Sequence, residues 1–185
     1  MNKIEAWPSL VWIDLEMSGL DIKKDKILEI ACIITDTNLN IIAEKDSIVI
    51  SNSQELIENM DCWNTLHHTQ SGLINDVRTS KYTVEAAERE VLDFIKSYCE
   101  DKQAPLCGNS IWVDRLFLKM QMPSLEQYLY YRMIDVSTVK QLANYWYGQP
   151  GEEIFKKKSA HRALDDIKDS IEELRYYREH FFRKS

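Results

Sequence analysis

The chain has 185 residues, 44% of them apolar and 29% charged, and its five Gly and four Pro leave little room for disordered linkers, so one domain spanning residues 1–185 is expected. A formal charge of -7 disfavours extended binding to duplex DNA or long RNA, which proteins hold through clustered Lys and Arg, but permits a short anionic ligand where divalent cations offset the acids. Cys32, Cys62, Cys99 and Cys107 have neither zinc-site spacing nor the density of a disulfide scaffold; without a signal-peptide core over 1–8 or any run of membrane-span length, a cytoplasmic protein is expected.

The first element is the stretch Leu10-Val11-Trp12-Ile13-Asp14-Leu15-Glu16-Met17-Ser18-Gly19, an apolar strand carrying two acids two residues apart. Successive side chains of a strand alternate between faces, so Asp14 and Glu16 emerge on the same side. Two carboxylates inside an apolar strand repel each other and lose hydration, and a divalent cation compensates both costs. The plainer alternative is a solvated strand end with no chemistry.

A polar turn over 19–26 leads to a strand rich in β-branched residues over 27–36, and a more exposed third strand follows over 41–50. Together they predict an antiparallel meander. Helical segments are expected over 53–60 and 63–77, the second containing the adjacent His67 and His68, a pair that is most often at the surface. Val84, Ala87, Val91, Phe94, Ile95 and Tyr98 recur at helical spacing, giving an amphipathic helix to about residue 100 with Thr83 as N-cap.

Residues 105–110 read as a short strand ending in a Gly-Asn-Ser turn, and 111–118 open a helix whose first turn carries Asp114. A carboxylate there also gains from the helix dipole alone. A fifth strand over 132–136 and a helix over 137–146 follow, and alternating strands and helices after a meander predict a mixed five-stranded α/β sheet with helices on its faces. Residues 148–159, including Lys156, Lys157 and Lys158, read as a loop. The last helix, 162–180, aligns Leu164, Ile167, Ile171 and Leu174, which leaves Asp166 as the acid best placed to look inward.

Asp14, Glu16, Asp114, and His161 with Asp166 in the pattern His-x-Ala-x-x-Asp resemble the DEDDh exonucleases of the ribonuclease H-like superfamily, most closely its oligoribonuclease branch. The likeness runs from Leu10 to Phe181 and includes 107–111, 164–167 and 173–181. Collinear blocks are more specific than a single motif. One departure is Trp112-Val113 before Asp114, which bears on the pocket for the 3′ nucleotide.

The resemblance implies a ribonuclease H-like fold and a 3′-to-5′ exoribonuclease that hydrolyses very short oligoribonucleotides, chiefly dinucleotides, to nucleoside 5′-monophosphates. It implies that Asp14, Glu16, Asp114 and Asp166 hold two Mg²⁺ or Mn²⁺ ions about 4 Å apart and that His161 is the general base. It assigns Leu20 and Trp63 to wedging and stacking against bases and Ser110 to the 3′ end. His68, Arg132 and Ser137, with Tyr131 from a second subunit of a homodimer, are assigned to the 5′ phosphate. The plainer alternatives are core packing for Leu20 and Trp63 and ordinary surface for Tyr131 and Arg132. Two rival readings are a trimming exonuclease acting on longer strands and a binding module that kept the fold without the chemistry.

Overall fold

A computed structural model describes residues 9–148, Phe155 and 162–182. Its frame is a five-stranded sheet in the order β3-β2-β1-β4-β5. The central strand β1 (Leu10–Met17) pairs antiparallel with β2 (Ile27–Thr35), which pairs antiparallel with β3 (Ile41–Val49). On its other side β1 runs parallel to the short β4 (Pro105–Gly108), and β4 runs parallel to β5 (Tyr130–Asp135). The expected meander with added parallel strands is therefore the observed sheet.

Helices occupy the connections: α1 (Gln54–Glu58), α2 (Cys62–Gln70), α3 (Leu73–Thr79), α4 (Val84–Lys96), α5 (Trp112–Gln121), α6 (Pro123–Tyr128), α7 (Val136–Tyr147) and α8 (Ala163–Phe181). Strand alternation divides the core. Val11, Ile13 and Leu15 of β1, with Ile30, Cys32 and Ile34 of β2, pack against Val91 and Ile95 of α4 and Phe117 and Leu118 of α5. Leu10 and Trp12, with Ala31 and Ile33, face the other way onto Val136 of α7 and Ala163, Ile167, Ile171 and Tyr177 of α8. Asp14 and Glu16 continue the Leu10-Trp12 parity, so they lie on the face that α8 covers. Among the described residues no helix is long and apolar enough to cross a membrane.

Several boundaries differ from the sequence expectation. The helix expected over 63–77 is two helices, because Gly72 takes a left-handed φ of 79° and its carbonyl starts α3. Thr83 caps α4 as expected, but the helix ends at Lys96, and Tyr98 is exposed instead of packed on the apolar face. α6 had no counterpart in the pattern; Pro123 in its first turn supplies a fixed φ. Strand β5 begins two residues earlier than expected, at Tyr130. Apart from Gly148 and Phe155, the expected loop over 148–159 lies outside the described residues, as does His161.

Candidate active site

Asp14 and Glu16 from β1 and Asp166 from the first turns of α8 each offer a carboxylate oxygen to one cluster in which the three oxygens lie within 4.8 Å of one another. The juxtaposition follows from the fold. β1 delivers two acids to one face, and the apolar stripe of α8, anchored by Ile167 and Ile171, turns Asp166 toward them.

Asp114 stands beside this group in the first turn of α5, buried, with Oδ1 accepting the Leu15 N–H at 3.0 Å. Strand β4 ends at Gly108, and Asp114 takes the pairing position on β1 beyond it. The side chain thus does more than balance a helix dipole: it ties α5 to the acidic strand.

Burial pushes the Glu16 carboxylic acid up to about 8, and the nearby Asp166, Glu29 and Asp114 charges push the same way, against the opposing pull of Arg162. Burial likewise raises Asp114 to about 7, against the Leu15 hydrogen bond that favours its ionised form. Such a site is short of positive charge. Three convergent oxygens from hard carboxylate ligands, partly desolvated and mutually repelling, fit a divalent cation such as Mg²⁺ or Mn²⁺.

His68 is buried on α2, donating from Nε2 to the Met17 carbonyl at 2.9 Å, with Nδ1 3.8 Å from Glu16 Oε2. It lies beside the acids rather than at the open surface expected of adjacent histidines. Ser110 and Ser137 come together at the C-terminal ends of β4 and β5, with their hydroxyls 3.2 Å apart. The Ser110 N–H donates to Asp135 Oδ1 and to the Ser137 hydroxyl, each at 3.0 Å. These bonds hold Ser110 at φ 49°, a left-handed conformation uncommon for a residue with a Cβ. Asn109 joins the same group to the buried Glu173 of α8 through a 3.0 Å hydrogen bond.

Leu20 is 73% exposed and Trp63 60% exposed, so neither is a core residue. Leu20 rides on a turn built by Asp25, whose Oδ1 accepts the Ser18 hydroxyl and whose Oδ2 accepts the Asp21 N–H, both at 2.8 Å. Tyr131 and Arg132 are exposed on edge strand β5, where Arg132 Nε donates to the Tyr131 hydroxyl at 2.9 Å.

Glu29, Asp135, Asn109, Glu173 and Asp25 were not singled out in the sequence. Glu29 had a signal: it is the lone charge in an otherwise apolar strand and shares parity with Ala31 and Ile33. Asp135, Asn109 and Glu173 support neighbours distant in sequence, while Asp25 organises a local turn whose hydrogen bonds the residue pattern does not mark.

The exonuclease family, RNase T type, matches residues 11–174. Oligoribonuclease from Francisella tularensis subsp. novicida is 50% identical over 176 residues, which cover 95% of this chain and 97% of that protein. Oligoribonuclease from Acinetobacter baylyi is 51% identical over 176 residues, covering 95% and 96%. Among solved structures, exonuclease I from Methylocaldum szegediense superposes with a TM-score of 0.70 at 16% identity, covering 94% of this chain and 41% of its own. A zinc-bound complex of Escherichia coli exonuclease I with single-stranded DNA gives 0.69 at 11% identity, covering 94% and 41%. The chain spans about two fifths of these exonuclease I chains (41%), and the likeness to them is one of ribonuclease H-like fold. Kinship with the oligoribonucleases, by contrast, runs nearly end to end on both sides, and the chain belongs to the exonuclease family as a hydrolytic nuclease.

Proposed function

We propose that the chain is a DEDDh 3′-to-5′ exoribonuclease that hydrolyses very short oligoribonucleotides, chiefly dinucleotides, to nucleoside 5′-monophosphates. The observation that carries this reading is the convergence of Asp14, Glu16 and Asp166 within 4.8 Å, on a chain kin to oligoribonucleases throughout its length. With Asp114 these side chains hold two divalent ions, Mg²⁺ or Mn²⁺. Such ions lower the pKa of an attacking water and offset charge on the leaving 3′-oxygen of an in-line displacement. His161, with an unperturbed pKa of about 6.5, accepts the water's proton near neutrality.

The substrate is capped at both ends. Ser110, expected at the 3′ end, has its hydroxyl 3.2 Å from that of Ser137 and so belongs with the 5′-phosphate group, its backbone fixed by Asp135 and Ser137. Trp63 stacks on a base and Leu20 wedges beside it; their exposure supports a ligand-facing role over a packing one. His68, Arg132 and Ser137 engage the 5′ phosphate, Arg132 through the paired N–H donors that suit phosphate oxygens. Tyr131 completes this end from the partner subunit of a homodimer. Edge strand β5 with exposed Tyr131, and α7 with Tyr145 73% and Trp146 67% exposed, supply the aromatic surface such an interface uses. The enzyme works as a single exonuclease domain in the cytoplasm.

The test is turnover of a two-nucleotide RNA against a ten-nucleotide RNA with the same 3′ end. End capping predicts kcat/KM at least about tenfold higher for the shorter one, equivalent to about 1.4 kcal/mol. Equal values would remove the capping and favour an exonuclease of longer strands.

A further inference from the structure

Helix α8 carries Asp166 but has no side-chain cap from Arg162, the residue at its own N-cap position. The cap comes from a different part of the chain: Glu29 on β2 accepts the Ala163 N–H through Oε2 at 3.2 Å. Arg162 closes on the same carboxylate, Nη2 and Nε donating to Oε1 at 2.8 and 3.1 Å, while Nη1 donates to Asp76 of α3 at 3.0 Å. Glu29 is completely buried, and its Cα pairs directly with that of Glu16 across β1 and β2. Like charges directly opposite in a ladder repel, so a buried anion at this position needs a dedicated cation.

We propose that Glu29 is a positioning residue, which with Arg162 pins the start of α8 to β2 and so sets Asp166 against Asp14 and Glu16. The inference rests on reading those three acids as metal ligands. Arg162 has a second effect: it neutralises Glu29 and keeps that carboxylate engaged away from the cation. Neither residue belongs to the cluster of three convergent carboxylate oxygens. They act through the first turn of α8, where the Asp165 and Asp166 N–H groups both donate to the Arg162 carbonyl at 3.0 Å.

The experiment measures Mn²⁺ affinity of the full chain by electron paramagnetic resonance of the free ion, together with kcat and KM on a dinucleotide and thermal unfolding. Glu29→Gln preserves shape and an acceptor for Ala163 but removes the charge. It should weaken Mn²⁺ binding about 10- to 100-fold, as losing a supporting partner of a ligand does, with kcat falling and KM within about twofold. Arg162→Ala strands the Glu29 charge and should be worse, Arg162→Lys should recover part of the loss, and Glu29→Gln with Arg162→Ala should bind Mn²⁺ better than Arg162→Ala alone. Wild-type Mn²⁺ affinity in Glu29→Gln, even with lowered melting, would overturn the positioning role, as would a double variant no better than Arg162→Ala. Asp14→Asn separates the two levels. If it leaves Mn²⁺ affinity unchanged, the ligand reading itself fails; if it abolishes binding while Glu29→Gln does not weaken it, only the positioning role fails.

Discussion

Replacing Glu16 with Gln should stabilise the metal-free protein at alkaline pH and remove most of its response to divalent cations. In the folded chain the Glu16 acid sits at about 8 rather than 4.5, chiefly through burial and then through Asp166, Glu29 and Asp114. Between those values the folded state keeps a proton that the unfolded state has released, so stability falls as pH rises and the loss is complete above about pH 8. At about 1.36 kcal/mol for each tenfold, raising the acid from 4.5 to about 8 costs the folded state about 5 kcal/mol above that pH. The buried amide of the variant gives back about 1–3 kcal/mol of this, leaving a net gain of about 2–4 kcal/mol. For a chain of this size that is roughly 5–15 °C in Tm. Thermal unfolding followed by circular dichroism, in excess EDTA at about pH 9 and about pH 5, reads it directly. The gain should be gone at the lower pH, where folded wild type keeps the Glu16 proton and the unfolded chain has released about three quarters of it, a loss of only about 0.8 kcal/mol that does not exceed the amide penalty. In saturating Mn²⁺ the order should invert, because the ion favours the ionised carboxylate that only the wild type has. A variant less stable than wild type at about pH 9 without metal would refute the reasoning.

Gly19→Ala places a Cβ 2.7 Å from Asp25 Cγ, against the carboxylate that organises the Leu20 turn; KM for a dinucleotide should rise while Mn²⁺ affinity stays within about twofold, measured by steady-state kinetics and metal titration. His161→Ala should lower kcat by about 10²- to 10⁴-fold near neutral pH without weakening Mn²⁺ binding, and wild-type turnover would remove the general base. If Tyr131 is supplied across a dimer interface as proposed, sedimentation should show a dimer whose dissociation on dilution lowers activity; a fully active monomer would exclude the shared site.

The sheet was legible because hydrophobic alternation is a local signal. β1 and β2 announce themselves by apolar runs, and the even positions of β1 place Asp14 and Glu16 on one face before any contact is known. Asp166 was legible for the same reason, since the stripe of α8 fixes which acid turns inward. The break at Gly72 was not, because helical periodicity on both sides of a single left-handed residue reads as continuous. The roles of Glu29 and Glu173 were hidden more deeply, although Glu29 stood out as the lone charge of its strand. Each residue is a buried carboxylate with partners brought near by tertiary packing, Arg162 and Ala163 in one case and Asn109 in the other, although Tyr177 lies one helical turn from Glu173. The polar frame around Ser110 belongs to the same class: Asp135 is distant in sequence, and the left-handed backbone that it stabilises leaves no mark in the residue pattern.

The most direct test is the release of nucleoside 5′-monophosphate from a 5′-labelled diribonucleotide by wild type and Asp14→Asn, each with Mn²⁺ and with EDTA. Wild type should produce it with the ion and not with EDTA, and Asp14→Asn should lose at least about 10³-fold in rate, a loss of about 4 kcal/mol in transition-state stabilisation. Turnover by Asp14→Asn at the wild-type rate, or undiminished turnover in EDTA, would contradict a metal-dependent nuclease centred on these acids.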